Sequence, residues 1–189
     1  THCESSAASD VYKRQTWHAA GLLPLFNMSY SVGQIHKYSV KFYQELQEET
    51  GMDVGFRNVS NIRLASNQDR MDEFRQYAGV ASTIGVQVDF LTPEQVLDYW
   101  PMANIDGLVG AIRHPEDGYI QPADLTQALA RGARDRGAEI YRNTAVTAIS
   151  RSDDGLWIVS TDKGDITCDH VVSATGNFAR KTGEMVGLN

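Results

Sequence analysis

The sequence predicts a mixed α/β fold, and three observations carry that prediction. Amphipathic helical periodicity dominates the first half of the chain. Short apolar runs broken by Asp-Gly and Lys-Gly turns dominate the second half. The 189 residues are 42% hydrophobic and 22% charged, a balance that suits a globular chain and excludes a disordered one.

The first fifteen residues, THCESSAASDVYKRQ, show neither period and are expected to form an unstructured leader. From Ser31 to Gly51, Ile35, Tyr38, Phe42 and Leu46 recur three or four apart and predict an amphipathic helix. Asn61 to Ala65 predicts a strand. Asn67 follows as an N-cap, with Met71, Phe74 and Ala78 on one helical face and a stop near Gly85. Val86 to Leu91 predicts another strand, and Thr92-Pro93-Glu94-Gln95 places a cap, an N1 proline and an N3 glutamine in capping-box order, opening a helix to about Tyr99.

Leu108 to Arg113 predicts a strand, and the segment HPEDGYIQP at 114–122 a loop, since two prolines and Asp117-Gly118 punctuate it. Leu125, Ala128, Leu129 and Ala133 mark a helix ending at Gly137. The remainder predicts strands at Ala138–Arg142, Ala145–Ser150, Leu156–Thr161, Ile166–Cys168 and His170–Ala174, then a helix from near Phe178.

Composition excludes several classes of function. With 24 acidic against 17 basic residues and a net charge of −7, the chain carries no basic footprint for nucleic acid or anionic lipid. Its longest nearly apolar run, AAGLLPLF at 19–26, is far short of the ~20 residues that span a bilayer, so no membrane partner is expected. Cys3 and Cys168 lack any disulfide pattern, which points to a reducing, intracellular compartment. None of the five histidines has metal-ligand spacing, so no metal site is expected, and no P-loop or GxSxG motif is present.

Two segments differ in character. In Thr16-Trp17-His18-Ala19-Ala20-Gly21-Leu22, small residues after the imidazole allow a flat ligand to approach the backbone, although a histidine beside an aromatic also reads as a structural residue. In His170-Val171-Val172-Ser173-Ala174-Thr175-Gly176, an apolar strand ends in a small residue and glycine. A nucleotide could lie against such an end, or it is simply a buried strand with a tight exit.

With TWHAAGL at 16–22 and VVSATGNFA at 171–179 in view, the sequence resembles the dimethylglycine and sarcosine dehydrogenase group of FAD-dependent amine oxidoreductases, which share the D-amino-acid-oxidase fold. NIRLAS at 61–66, DGYIQP at 117–122, LTQALARGARDRGA and AVTAI at 145–149 follow in the family's order. The resemblance implies a two-domain architecture, FAD-binding Rossmann-like plus substrate domain. Residues 16–49 and 122–189 would be mainly FAD-domain elements, and 50–115 mainly substrate-domain elements.

In that family the histidine of TWHAAG carries FAD through a covalent 8α bond, and the match falls on His18. Neutral imidazole is a nucleophile able to add at an electron-poor flavin methyl position, and the bond fixes the ring. The resemblance implies that Thr16, Trp17, Ala19, Ala20, Gly21 and Leu22 line the flavin, and that the backbone of Val146 contacts the adenine. Gly176 and Phe178 match the strand-end turn, where Asn177 departs from the family's aromatic pair. The implied reaction oxidises an N-methyl group of a small amino acid, dimethylglycine or sarcosine. Hydride passes to the flavin, the resulting iminium is hydrolysed or captured by tetrahydrofolate, and electron-transfer flavoprotein or oxygen accepts the electrons. Tyr119 and His114 are candidates to border the substrate cavity.

The family's N-terminal strand and GxGxxG turn, which cradle the FAD pyrophosphate, have no counterpart here, and Arg14-Gln15 stands where Gly-Ser usually precedes the motif. A fragment is therefore expected, with residues 1–15 foreign to the family and weak FAD binding by the chain alone. A second reading is a non-catalytic regulatory protein of the same fold, similar to the pyruvate dehydrogenase phosphatase regulatory subunit. His18 favours the enzyme, because a regulatory relative needs no nucleophile. The compartment would be cytoplasmic in a bacterium or the mitochondrial matrix in a eukaryote.

Overall fold

The computed structural model describes residues 4–5, 16 and 19–188. The chain divides into two units, Ala20–Leu125 and a second of Thr1–Ala19 with Thr126–Asn189.

In the first unit the elements in chain order are β2 (Leu22–Leu23), α1 (Tyr30–Thr50), β3 (Arg57–Asn58), β4 (Asn61–Ala65), α2 (Gln68–Ile84), β5 (Asp89–Leu91), α3 (Pro93–Tyr99), β6 (Gly110–His114) and β7 (Gly118–Tyr119). The preceding strand, β1 (Glu4–Ser5), belongs to the second unit. The local signals do what their chemistry requires. The Asn67 side chain accepts the Arg70 amide at the start of α2, and Gly85 ends that helix in the left-handed region. Thr92 and Gln95 form both halves of the capping box on α3.

The organising sheet is antiparallel with order β4-β6-β5, Asn61 lying opposite His114 and Asp89 opposite Arg113. Side chains alternate across it. Ala65 and Ile112 face a core of Met71, Phe74, Tyr77, Ala81, Ile84 and Leu25. Ile62, Leu64 and Ala111 face Leu91 and Val96 on the other side. The central β6 is thus covered on both faces, and its burial is nearly continuous.

Helix α1 corrects one expectation. Ile35 and Tyr38 are 62% and 68% exposed, whereas Gly33, Leu46 and Thr50 are buried. The helix lies against α2 at Gly33, where a Cβ would fall 2.3 Å from Ile84 Cδ1, and Lys37 Nζ donates to the carbonyls of Ile84 and Gly85. Close approach through a small residue has overridden the wider apolar stripe.

A second, small sheet runs β2-β7-β3, with Leu22 and Arg57 on either side of Tyr119. Two-residue ladders carry no readable periodicity, so the predicted 114–122 loop contains a strand that the sequence pattern does not announce. The Val86–Leu91 strand is likewise shorter than predicted, starting at Asp89.

The second unit contains β1 (Glu4–Ser5), most of α4 (Pro122–Asp135), β8 (Glu139–Ile140), β9 (Val146–Arg151), β10 (Trp157–Thr161), β11 (Gly164–Cys168), a 3-10 turn at Gly176–Phe178 and α5 (Ala179–Glu184). Strands β9, β10 and β11 form an antiparallel meander. Two expectations are corrected here. Glu4–Ser5, within the supposed leader, pair in parallel with β8 through backbone groups that need no side-chain pattern; the rest of 1–15 lies outside the described residues. Residues 170–174 form no strand, because no strand among the described residues supplies a ladder beside them, and Val172 is 89% exposed.

Candidate functional site

The exit from the TWHAAG segment and the HPEDGYIQP loop meet in the first unit. The Ile120 amide donates to the Gly21 carbonyl over 2.8 Å, and Leu22 pairs with Tyr119. Gly21 has φ +72, and a Cβ there would lie 2.2 Å from the Ile120 oxygen, so no side chain fits. Ala20 and Leu22 are exposed, as is Tyr119 at 44%.

Behind this edge the loop turns inward. His114-Pro115-Glu116-Asp117 is a turn closed by the Asp117 amide on the His114 carbonyl, with proline at its second position. The turn buries both flanking side chains, His114 at 0% and Asp117 at 1% exposure. Asp117 Oδ1 accepts the Leu25 amide over 2.9 Å, and the Leu25 carbonyl accepts the Tyr77 hydroxyl over 3.1 Å. Phe26 then packs on Tyr77 with ring centroids 4.2 Å apart, edge-on to His114 at 5.8 Å, and beneath the Arg63 guanidinium at 4.2 Å.

The electrostatics follow from burial. Loss of water pushes the Asp117 carboxyl up to about 6, against the lowering effects of the Leu25 amide and Arg63. Loss of water, with Arg63 nearby, pushes His114 down to about 4, so the imidazole is neutral at physiological pH. Tyr77 is pushed up to about 12, chiefly by burial and then by Asp117, which keeps its hydroxyl a donor. Neither His114 ring nitrogen nor Asp117 Oδ2 has a hydrogen-bond partner among the described residues.

The site residues expected from the sequence therefore fall into separate groups. Leu22 and Tyr119 share one sheet, with Gly21 bonded to Ile120 just outside it, whereas His114 lies buried at the end of β6 and does not share Tyr119's exposure. Trp17 and His18 lie outside the described residues. Ala19 is exposed and its amide donates to the Thr16 carbonyl over 3.2 Å. Val146 opens β9, half-buried, and Gly176 and Phe178 form the exposed 3-10 turn. The uncovered small residues Ala19 and Ala20 fit contact with a flat ring system such as a flavin. Sequence reasoning missed Asp117, Tyr77 and Leu25. The sequence reads Asp117 as a turn residue beside Gly118 and, paired with Glu116, as solvated surface; at 1% exposure Asp117 corrects that second reading, and nothing local signals a bond across 92 positions.

Among the described residues, no His, Cys, Asp or Glu group is placed to hold a metal, and no helix is long and apolar enough to cross a membrane.

Three similarities place this geometry. The mitochondrial dimethylglycine dehydrogenase of Rattus norvegicus is 36% identical over 181 residues, covering 96% of this chain and 21% of that protein. The mitochondrial pyruvate dehydrogenase phosphatase regulatory subunit of Mus musculus is 32% identical over 168 residues, covering 89% of this chain and 19% of that protein. The crystal structure of glycine oxidase from Geobacillus kaustophilus superimposes with a TM-score of 0.81 at 30% identity, covering 98% of this chain and 52% of that one. The chain thus spans about a fifth of the curated relatives' length, 21% and 19%. Since residues 6–189 match the model of the FAD dependent oxidoreductase family, DAO, a match that takes in ten residues ahead of Thr16, the chain belongs to that family.

Proposed function

We propose that the chain is part of an FAD-dependent amine dehydrogenase or oxidase acting on N-methyl groups of small amino acids, dimethylglycine or sarcosine, with FAD attached through His18. What supports this reading is the T-W-H-A-A-G motif at 16–21, in a chain 36% identical to dimethylglycine dehydrogenase over 181 residues.

Bound FAD supplies a two-electron acceptor for hydride from the substrate carbon. The residues of this chain bind and orient. His18 would tether the ring, Thr16, Trp17, Ala19, Ala20, Gly21 and Leu22 would line it, the Val146 backbone would meet the adenine, and Gly176 and Phe178 would contribute through their 3-10 turn. Tyr119, exposed on the edge beside Leu22, is the better placed of the two cavity candidates. His114, fully buried and neutral, is not exposed to meet a substrate directly. Electron-transfer flavoprotein or oxygen would take up the electrons, and tetrahydrofolate would bind outside this chain. The mitochondrial relatives favour the matrix for a eukaryotic source.

A second reading, a regulatory protein without catalysis, is favoured by the 32% identity to the phosphatase regulatory subunit. One experiment separates the two. The full protein carrying this chain is acid-precipitated and flavin absorbance is read in the pellet and the supernatant. Flavin retained in the pellet and lost from His18→Ala supports the covalent enzyme. A colourless pellet overturns the covalent linkage, and flavin in neither fraction favours the regulatory protein.

A further inference from the structure

Three Asp-Gly pairs occur in the chain, at 106–107, 117–118 and 154–155, and the fold gives each a different environment. The pair matters chemically because glycine, with no Cβ, lets its own amide nitrogen swing round to the carboxyl carbon of the preceding aspartate. Attack there forms a C–N bond and closes a succinimide ring, and one carboxyl oxygen leaves as water. Hydrolysis returns the water at either ring carbonyl. One opening restores aspartate; the other leaves isoaspartate, whose main chain runs through the former side chain. No oxidant or reductant takes part. The step needs an approachable carboxyl, a free glycine amide and a turn able to reorient.

Two of the pairs lack those conditions. Asp117 is 1% exposed, its Oδ1 accepts the Leu25 amide, and Gly118 is laddered between Leu23 and Asn58, where a Cβ would fall 2.3 Å from the Arg57 oxygen. Asp154 is exposed, but the Gly155 amide donates to the Ser152 carbonyl over 3.0 Å and the Ser152 amide to the Leu156 carbonyl over 3.0 Å, so the hairpin holds the nucleophile. The Asp154 carboxylate also accepts the Ser152 hydroxyl, which with backbone amides holds it below the usual carboxylate range and favours the unreactive ionised form.

Asp106 meets all three conditions. It and Gly107 are both exposed, and a Cβ on Gly107 would meet open space. Among the described residues nothing bonds the Asp106 carboxylate or the Gly107 amide. The turn is closed across its ends by one bond, from the Leu108 amide to the Ile105 carbonyl over 3.1 Å, and Gly107 at its third position has φ +75. Asn104 accepts the Asp106 amide over 3.0 Å but holds neither reacting group.

We propose that Asp106-Gly107 is a modification site, where the connection between α3 and β6 converts spontaneously to isoaspartate and so acquires a free main-chain carboxylate. That carboxylate is the group esterified by a carboxyl methyltransferase specific for isoaspartate, an enzyme class that becomes a partner of this loop once it has isomerised. The chemistry does not depend on how flavin is held.

The test uses the full protein carrying this chain, incubated at neutral pH with its fold intact and, in parallel, in denaturant. Isoaspartate at each pair is read by peptide mass spectrometry with fragmentation that distinguishes the isomers, and by transfer of labelled methyl groups from the methyltransferase. In the folded protein Asp106 is expected to accumulate isoaspartate severalfold faster than Asp154, with Asp117 slowest. In denaturant the three rates draw together, because the dipeptide alone then sets the chemistry. Asp106→Glu, whose larger ring closes far more slowly, loses the methyl acceptor of this loop. Asp106→Asn gains isoaspartate faster, because an amide carbon is electrophilic without first taking up a proton. Accumulation at Asp106 no faster than at Asp154 in the folded protein overturns the proposal. The same ranking in denaturant also overturns it, since flanking residues and not the fold would then set the rates. Methylation unchanged in Asp106→Glu overturns the assignment to this loop.

Discussion

The two units of this chain spend their apolar residues differently. In Ala20–Leu125 a three-stranded sheet is covered on both faces, and Phe74, Tyr77, Ala81, Ala111 and Ile112 are each 1% exposed or less. In the unit containing Thr126–Asn189, only Ala128 and Ile149 of the described apolar residues are buried, and every residue of β10 is half-buried. The first unit can therefore hold a histidine and a carboxylate out of water. The second buries few of its apolar side chains: Ile149 of the meander is 8% exposed, while β10 stays half-buried along its length. Burial density, and not secondary-structure content, separates the two regions.

The largest expected effect breaks this contrast at its centre. Phe74→Ala should destabilise the first unit by about 3–5 kcal/mol, because a fully buried ring leaves a cavity that the surrounding sheet cannot close. Ile149→Ala, at 8% exposure beside a strand that is only half-buried, should cost less, about 2 kcal/mol. Denaturant midpoints of the full protein, followed by hydrogen exchange in peptides from each unit, will show the difference. Equal costs would mean that the meander's core is denser than its exposures indicate.

Glycine replacement sharpens the same comparison. Gly21 and Gly155 both have positive φ, at +72 and +86, but a Cβ at Gly21 strikes the Ile120 oxygen whereas one at Gly155 meets open space. Gly21→Ala should cost about 3 kcal/mol and Gly155→Ala about 1 kcal/mol, the latter being the conformational penalty alone. Thermal melting of the two variants side by side is the measurement.

The buried pair makes a pH prediction that belongs to the first unit alone. Asp117 is raised from 3.8 to about 6, so the folded state holds a proton that the unfolded state releases, and stability falls as pH rises through that window. His114 is lowered from 6.5 to about 4, so the unfolded state holds the extra proton and stability rises over nearly the same window. Each contribution is on the order of 3 kcal/mol and the two oppose one another. The groups facing them are Arg63 from β4, Asp89 from β5, Glu116 in the turn and Tyr77 from α2. Melting temperature should therefore vary little from pH 4 to 6 in the wild type. It should climb with pH in Asp117→Asn and fall with pH in His114→Gln. Parallel profiles in all three proteins would refute the opposition.

The smallest effect lies on the second unit's surface. The Arg151 guanidinium stands 4.8 Å over the Trp157 ring, opposite it in the β9–β10 ladder. Arg151→Ala should cost about 0.5 kcal/mol, read as a small shift in urea midpoint with unchanged slope.

Much of the fold was legible wherever a signal is local. The N-cap of Asn67, the Thr92–Gln95 capping box and the strand at Asn61–Ala65 stand where the residues place them, because each is decided by groups within about four positions of one another. The Asp154-Gly155 and Lys163-Gly164 signals likewise sit at the meander's turns. Legibility ended where the decision was not local. The strands β1, β2, β3 and β7 are two residues long and exist only because a partner backbone lies beside them. The His170–Ala174 run reads as a strand yet forms none, since no strand among the described residues pairs with it. In the candidate site, Gly21, Leu22 and Tyr119 were nameable from motif resemblance, but that Leu22 and Tyr119 pair in one sheet was not.

By itself the sequence determined the mixed α/β class, the capped helices and the ordered motifs from TWHAAG to VVSATGNFA that mark the family, because short-range sterics, caps and turn chemistry are written in neighbouring residues. Only the tertiary structure decided which face of α1 is buried, that His114 and Asp117 lose all contact with water, and that Leu25 is held from positions 77 and 117. Those outcomes depend on which distant surfaces the packed sheet and helices bring together, and a buried polar group reveals its partner only once that packing has closed around it.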